Sequence, residues 1–238
     1  MHCGLAHAPL NILALDTSSE HCSVALWLDG EVRDLERFAG QRHTEMVLPM
    51  VDELLAQAGL ELSRLSGIAY GAGPGSFTGL RIACGLAQGL ALGAGLPVIG
   101  VSTLEALAEA CAAPRVIACL DARIGEIYHA AYERDAARGR EKGAWRVVSA
   151  PRLCRPEDAP EVPGVGWWGC GSGFDVYPQA LGKRYGARLA QVLRGRHPRA
   201  REMAMLAALR FAAGEGRDPA EAAPLYLRDK VALPEGER

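Results

Sequence analysis

Short apolar runs that end in polar turns alternate along the chain with longer segments of helical periodicity. Residues 11–15 form an apolar run that stops at Asp16, which predicts a buried strand entering a turn. Strands are also predicted at residues 22–28 and 31–38, and the Asp-Gly pair between them indicates a hairpin. Alternating strands and helices are typical of an α/β fold.

Four segments are predicted as helices. Residues 44–60 have apolar side chains at helical spacing and are closed by a glycine, and a second helix runs from residue 77 or 78 to 93. A third helix, residues 103–112, has Ser102 and Glu105 in the positions of a capping box. The remaining predicted elements are strands at residues 68–70 and 98–101, a helix at residues 201–213 and an extended tail at residues 225–228.

The strand-turn-strand pattern of the N-terminus returns in the second half of the chain. Residues 116–121 form an apolar run ending in Asp121, 105 positions after Asp16, and a second strand follows at residues 126–132. This self-similarity predicts two related lobes, residues 1–112 and 113–238, with a chance likeness of two hairpins as the alternative. Beyond the repeat we predict an exposed hairpin tip at residues 133–146, irregular structure at the prolines of residues 151–163, and a strand entering a turn at residues 164–173.

Composition narrows the class of protein. Of 238 residues, 49% are hydrophobic and 23% are charged, which is typical of a globular protein. The net charge of −2 argues against a domain whose main role is to bind nucleic acid, because such domains are usually strongly basic. The seven cysteines are scattered without a Cys-x-x-Cys pair, which argues against a zinc ribbon and favours a reducing, cytoplasmic setting. Residues 82–104 carry no charge, but Gly95 and Pro97 interrupt them, so no membrane span is predicted.

Two segments are candidates for chemistry. Asp16 stands where α/β folds place a phosphate- or metal-facing carboxylate, but Thr17 and Ser18 follow it instead of glycine, so capping of the turn is the equal alternative. The glycine-rich turn at residues 71–79 lacks both the Lys-Ser/Thr of a phosphate-binding loop and the Gly-x-Ser-x-Gly of a hydrolase. Its free amides would hold either an anion or a neighbouring backbone.

Other features have a structural and a functional interpretation. Gly85, Gly89 and Gly93 form a bare stripe on the second helix, which would receive either an internal strand or a partner helix. His43 lacks a second metal ligand four residues on, so it is interpreted as a capping or core histidine. Residues 183–201 contain seven Lys or Arg and no acid, which indicates a solvated face more than an RNA contact.

Several short sequence motifs together resemble those of one protein family. The chain closely resembles the TsaB (YeaZ) family of the bacterial tRNA threonylcarbamoyladenosine pathway. The motifs that carry the resemblance are Ile-Leu-Ala-Leu-Asp-Thr-Ser (12–18), His-Thr-Glu-Met-Val-Leu-Pro (43–49), Gly-Ala-Gly-Pro-Gly-Ser-Phe-Thr-Gly-Leu-Arg (71–81), Gly-Val-Ser-Thr-Leu (100–104), Asp-Ala-Arg-Ile-Gly-Glu-Ile-Tyr (121–128) and Leu-Tyr-Leu-Arg (225–228).

The resemblance implies an α/β, actin-like (ASKHA) fold of two ribonuclease-H-like lobes. It also implies a non-catalytic scaffold or activator of TsaD, the subunit that transfers the threonylcarbamoyl group to the adenosine adjacent to the anticodon. The tRNAs concerned read codons beginning with adenine. TsaE, a small ATPase, is expected in a larger complex, tRNA is expected to be contacted through that complex, and a homodimer is possible without TsaD. No cofactor, metal or membrane is implied.

The resemblance also assigns positions. The metal-binding His-x-Glu-x-His of TsaD falls on Thr103, Glu105 and Leu107, so both imidazoles are missing and no catalytic residue is expected. The positions implied for a degenerate nucleotide pocket are Asp16, Thr17, Ser18, Gly73, Gly75 and Ser76. The positions implied for the partner interface are His43, Met46, Val47, Met50, Arg81, Gly85, Gly89 and Gly93.

Three other functions fit parts of the sequence. An ATP-dependent kinase or acyltransferase of the same fold would use Asp16 and Asp121 as facing carboxylates. A peptidase would need a Ser/His/Asp or metal arrangement, which the sequence does not display. A tRNA-binding module would use residues 183–201 and would bind tRNA in a salt-sensitive way without TsaD.

Overall fold

The computed structural model describes residues 10–134 and 145–228. The strands are β1 (Asn11–Asp16), β2 (His21–Leu28), β3 (Glu31–Phe38), β4 (Gly67–Gly73), β5 (Val98–Ser102), β6 (Arg115–Arg123), β7 (Glu126–Arg134), β8 (Trp145–Cys154), β9 (Trp167–Cys170) and β10 (Leu189–Leu193). The helices are α1 (His43–Ala58), α2 (Phe77–Ala94), α3 (Thr103–Ala110), α4 (Ser172–Val176), α5 (Pro178–Tyr185) and α6 (Ala200–Ala212).

The ten strands form two five-stranded sheets of the same topology. The first sheet has the order β3-β2-β1-β4-β5, and the second has the order β8-β7-β6-β9-β10. In each sheet the first three strands along the chain are antiparallel neighbours and the last two add in parallel. The repeated order confirms the predicted α/β fold of two related ribonuclease-H-like lobes.

Each half of the chain supplies one helix that packs on the sheet of the other half. One face of the first sheet is covered by α1 and α2, and its other face by α6 from the C-terminal half. The second sheet is covered on one face by α3, which follows the last strand of the first sheet, and on the other by α4 and α5. The division between residues 112 and 113 stays a prediction, and across it each half supplies a helix to the other half's sheet.

The glycines that end the long helices have the expected backbone conformation. Gly59 after α1 and Gly95 after α2 both have left-handed φ angles, 65° and 67°, and their amides bond back to carbonyls of the last turn. The predicted hairpin turn is also present, with φ of 46° at Asp29 and 105° at Gly30. Local sequence therefore sets these boundaries.

Two local predictions are wrong. Ser102 does precede α3, but it makes no side-chain capping bond, and Glu105 pairs with Arg210 instead of completing a capping box. The prolines of residues 151–163 do not end the regular structure at once, because β8 continues through Pro151 to Cys154. The second case has a simple reason: β8 is an edge strand, where a missing amide hydrogen costs no ladder bond.

Of the remaining segments, some agree with the prediction, and others form elements that were not predicted. The strands flanking the predicted hairpin tip pair from Arg134 and Trp145 onward, while residues 135–144 of the tip lie outside the described residues. Helices α4 and α5 and strands β8 and β10 were not predicted. The two helices and β10 have only five to eight residues each, which is too short for a clear periodic pattern. By length and composition α2 alone among the described helices is apolar enough to cross a membrane, and its buried residues pack in the core of the first lobe.

Candidate functional site

The end of β1 meets the glycine-rich turn in the interior of the first lobe. Asp16 is completely buried, and the Ser18 hydroxyl donates a hydrogen bond to its Oδ2 over 3.0 Å. Its Oδ1 has no hydrogen-bond partner in the part of the chain that the structure describes. Gly71 lies so close that a Cβ there would be 2.1 Å from Oδ1. The fold therefore buries this carboxyl against bare backbone.

Burial changes the acid-base behaviour of Asp16. Desolvation raises its pKa from the ordinary 3.8 to about 7, and the bonds from Ser18 offset only part of that rise. A carboxyl that holds its proton up to neutral pH is a weak ligand for a cation and repels phosphate less than a carboxylate does. Asp16 is thus enclosed by the described residues and has no exposed surface among them.

The glycine-rich turn docks on a neighbouring backbone. The Ser76 amide donates to the Ser18 carbonyl over 2.8 Å, and the Thr17 hydroxyl donates to the Gly79 carbonyl over 2.6 Å. A Cβ at Gly79 would lie 1.8 Å from the Thr17 carbonyl oxygen, and a Cβ at Gly75 would lie 2.7 Å from that of Ser18. Of the two uses that the sequence left open, backbone docking is therefore the one the structure adopts.

A C-terminal strap, residues 223–228, covers the same turn from outside. The Leu225 amide donates to the Ala72 carbonyl over 2.7 Å, and a Cβ at Gly73 would lie 2.9 Å from the Leu225 carbonyl oxygen. Further along, Arg228 donates to the Ala122 carbonyl in the second lobe and pairs with Glu126 over 2.8 Å. The strap thus runs from the glycine-rich turn of one lobe to the first hairpin of the other.

The positions that correspond to the TsaD metal motif have other roles here. The Thr103 hydroxyl is buried and donates to the Pro74 carbonyl over 2.5 Å, and Leu107 is buried in the core of the second lobe. Glu105 is held by Arg210 of α6 over 2.5 Å. One hydroxyl, one apolar side chain and one paired carboxylate do not form a zinc or iron site.

Asp121 stands in the second lobe where Asp16 stands in the first, but it is surrounded by donors. Its Oδ1 accepts bonds from the Arg123 amide at 3.0 Å and from the Tyr177 hydroxyl at 3.1 Å, and the Arg123 guanidinium lies 3.2 Å from Oδ2. The two aspartates proposed as facing carboxylates of a kinase are therefore each engaged locally.

The predicted interface residues on α1 are mostly buried. Val47 and Met50 are completely buried in the core of the first lobe, so they fix α1 on its sheet and present no surface. His43 is also buried, and its Nε2 lies 2.9 Å from the Ser19 carbonyl oxygen. Met46 is half-buried.

The glycine stripe of α2 faces outward. Gly85, Gly89 and Gly93 are exposed, and a Cβ added at any of them would have no atom within 4 Å. The internal strand suggested as one occupant of the stripe is therefore absent among the described residues. Beside the stripe, Arg81 lies over the Phe77 ring at 3.8 Å and donates to the Tyr226 hydroxyl. The bare stripe and this cation–aromatic cluster form one continuous helix face.

The basic run between residues 183 and 201 is largely neutralised. Five of its seven cations have a carboxylate within 4 Å. These five pairs are Arg184–Glu161, Arg188–Glu161, Arg194–Asp175, Arg199–Glu202 and Arg201–Asp34. The run is a set of local ion pairs more than a phosphate-binding stripe.

Comparison with known proteins gives concordant results. Residues 37–235 match the family model described as "TsaD: tRNA N6-adenosine threonylcarbamoyltransferase". The chain is 43% identical to the Escherichia coli "tRNA threonylcarbamoyladenosine biosynthesis protein TsaB", over 94% of this chain and 96% of that one. It is 39% identical to the Haemophilus influenzae protein of the same name, over 93% and 95% of the two chains.

A solved structure agrees with these relatives. A Pseudomonas aeruginosa crystal structure, described as "an uncharacterized protein with similarity to peptidase YEAZ", superimposes with a TM-score of 0.83 at 36% identity, covering 92% of this chain and all of that one. The relatives named TsaB are called biosynthesis proteins, whereas the family model carries the name of the transferase. The chain belongs to the TsaB (YeaZ) family, within the wider family that the TsaD model describes.

Proposed function

We propose that this protein is a non-catalytic partner of a TsaD-type transferase in the formation of threonylcarbamoyladenosine on tRNA. Its relatives in E. coli and H. influenzae are named as threonylcarbamoyladenosine biosynthesis proteins. The enclosed Asp16 and the Ser76 amide bonded to Ser18 support a role without nucleotide chemistry in this chain. The Glu105–Arg210 ion pair supports the absence of a catalytic metal at that position.

The observation that carries the proposal is the open face of α2. A helix interior rarely has three glycines, because each costs about 1 kcal/mol relative to alanine. A Cβ added at Gly85, Gly89 or Gly93 would meet no other part of the described chain within 4 Å, which leaves a groove that a helix from another molecule can enter closely. Leu92, next to Gly93 on the same helix, is an apolar side chain that is 58% exposed. TsaD is the proposed occupant.

The same face would serve a homodimer when TsaD is absent, so the two assemblies would compete. TsaE would join the TsaD-bound form, and tRNA would be contacted through the complex. Light scattering of the chain with and without TsaD tests the competition: the homodimer should convert to a heterodimer as TsaD is added. A homodimer that persists unchanged at saturating TsaD contradicts a shared face.

Reconstitution tests the function itself. Labelled threonine should enter tRNA when TsaD, TsaE and the enzyme that makes threonylcarbamoyl-adenylate are combined with this chain, and should fail to enter when the chain is omitted. Equal labelling without the chain contradicts the proposal. In that case the ATP-dependent kinase or acyltransferase interpretation is tested next, by MgATP binding to the isolated chain.

A pair of arginine substitutions localises the interface. Gly89→Arg places a long cation in the open stripe of α2, whereas Gly182→Arg makes the same change at an exposed glycine of α5 that also has nothing within 4 Å. We expect Gly89→Arg to weaken TsaD binding at least tenfold and to reduce labelling, and Gly182→Arg to leave both unchanged. Equal effects of the two variants contradict the assignment of the face.

A further inference from the structure

Three potential metal ligands from separate parts of the chain converge at one edge of the first sheet. His21 opens β2, Glu36 lies on the neighbouring edge strand β3, and His197 lies in the connection between β10 and α6. One ligand atom from each lies within 4.8 Å of the other two. The distance along the chain from Glu36 to His197 is 161 residues, so tertiary structure alone brings them together.

We propose that His21, Glu36 and His197 form a binding site for a first-row divalent cation, Zn²⁺ foremost. Two imidazoles and one carboxylate are a ligand set that Zn²⁺ accepts, with water in the remaining position. Zn²⁺ holds such ligands at about 2.0–2.2 Å, which places ligand atoms about 3.4 Å apart in a tetrahedral site. Ligand atoms at most 4.8 Å apart must close by up to about 1.4 Å, which rotation of the side chains can supply.

The contacts of the cluster hold its three side chains near one another before any cation binds. His197 Nε2 donates to Glu36 Oε1 over 2.8 Å, and the His21 and His197 rings stack with centroids 3.8 Å apart. Phe38 packs edge-on against the other side of His21 at 5.6 Å. The imidazoles are thus confined between an aromatic ring and a carboxylate, and a cation would take the place of the proton that His197 and Glu36 share.

Three arginines of this region each have a carboxylate partner other than Glu36. The guanidinium groups of Arg37, Arg199 and Arg201 are paired with Glu53, Glu202 and Asp34 at 2.6–2.7 Å. His197 and Glu36 keep side-chain exposures of 24% and 28%, so a hydrated ion reaches them. Pro198 restricts His197 to extended backbone, which lowers the entropy lost when the connection is fixed.

The position of the site gives it a structural role. Residues 194–199 lead from the last strand of the second sheet to α6, which packs on the first sheet. A cation held by β2, β3 and this connection fastens the crossover to the edge of the first sheet.

Titration of the full chain with Zn²⁺ after chelation and dialysis tests the site. We expect one saturating equivalent by calorimetry and, at about a hundredfold excess of free metal over Kd, a rise in Tm of about 5–10 °C. Because two stacked rings cannot both direct a nitrogen at one ion, Zn²⁺ must turn one ring out of the stack. The imidazole carbon-bound proton signals of His21 and His197 should therefore move together in NMR spectra.

Variants separate this site from other ligands in the chain. His197→Ala and Glu36→Gln should each weaken Zn²⁺ binding at least tenfold and abolish the rise in Tm. The control replaces His2, Cys3 and His7 near the N-terminus, which are also metal-binding residue types, and should leave both measurements unchanged. Loss of binding in the control with normal binding in His197→Ala overturns the proposal. Absence of saturable binding to the parent chain at about 0.1 mM metal overturns it as well.

Discussion

Asp16 in the first lobe and Asp121 in the second stand at the same place in two sheets of identical strand order, and their surroundings differ. Asp16 is completely buried, with one oxygen bonded by Ser18 and the other facing the bare backbone of Gly71. Asp121 lies near the surface among three donors from Arg123 and Tyr177. A repeated fold therefore preserves the position of a residue without preserving its chemistry.

The outer helical layers differ as well. In the first lobe this layer consists of α1 and α2, with 16 and 18 residues, and α2 leaves a glycine stripe open. In the second lobe the same layer consists of α4 and α5, with five and eight residues, beside a proline-containing segment. Only the first lobe thus offers a long, continuous helical surface in the described part of the chain. The sheets carry the common fold, and the layer on top of them distinguishes the lobes.

The largest expected effect comes from the contact between the glycine-rich turn and β1. Gly79→Ala should lower the free energy of unfolding by about 4 kcal/mol, because the new Cβ would lie 1.8 Å from the Thr17 carbonyl oxygen. The matched position in the second lobe, Gly173→Ala, should cost about 2 kcal/mol, since its nearest contact is the Cys119 side chain at 2.7 Å. Urea unfolding measures both.

The control for these variants is Gly85→Ala in the open stripe of α2. This change should leave stability unchanged or raise it by about 0.5–1 kcal/mol, because alanine is the better helix former and no atom lies within 4 Å. A Gly79→Ala variant as stable as the control would mean that the turn and β1 are less tightly docked than the structure has them.

The second effect concerns the pH dependence of the first lobe. Because burial raises the pKa of Asp16 to about 7, the folded state binds a proton there that the unfolded state releases near pH 4. The stability it contributes is full below the unfolded pKa and is lost as the pH rises through 7. The parent chain should lose about 3 kcal/mol between pH 5 and pH 8 through this group.

Asp16→Asn isolates that contribution, because asparagine does not titrate and all other groups are shared. The difference in unfolding free energy between variant and parent should shift in favour of the variant by about 3 kcal/mol over the same pH range. Urea titrations at several pH values measure the difference. A constant difference from pH 5 to pH 8 would show that Asp16 is ionised in the folded protein throughout.

The smallest effect tests how the strap joins the lobes. Arg228→Ala removes the bonds to Glu126 and to the Ala122 carbonyl and should cost about 1 kcal/mol. Hydrogen exchange of the Leu225 amide should accelerate at the same time, because the strap is then held only on the first lobe. Arg217→Ala is the control: its pair with Glu221 is 75% and 60% exposed, so its loss should cost at most about 0.5 kcal/mol. Unchanged exchange at Leu225 in Arg228→Ala would contradict a strap that spans both lobes.

Much of the fold followed from local pattern. The apolar runs ending in Asp16 and Asp121 gave the central strand of each sheet, and the glycines after α1 and α2 gave the helix ends to within two residues. The actin-like fold was predicted from the resemblance of the sequence motifs to those of the TsaB (YeaZ) family. The errors have tertiary causes: Glu105 is paired with Arg210, which is 105 residues away, and Pro151 fits in β8 because that strand lies at the edge of its sheet.

The candidate site was only partly accessible from the sequence. Composition identified the glycine-rich turn as unusual but left its occupant open, because free amides bind an anion and a carbonyl equally well. The helical period placed Val47 and Met50 on the apolar face of α1, which is the face that packs inward. Arg228 and Arg210 were not assigned partners, since nothing local connects them to Glu126 or Glu105.

The sequence by itself determined the strands that open each sheet, the long helices, their glycine ends and the repetition of two lobes, because each depends on side chains a few residues apart. Tertiary structure alone decided that α3 and α6 cover each other's sheets, that the Gly85–Gly93 stripe is open, and that Asp16 is enclosed. These outcomes depend on which surfaces meet across more than 100 residues of chain. The burial of Asp16, and therefore its raised pKa, results from the packing of segments that are distant in sequence and is not set by any single segment.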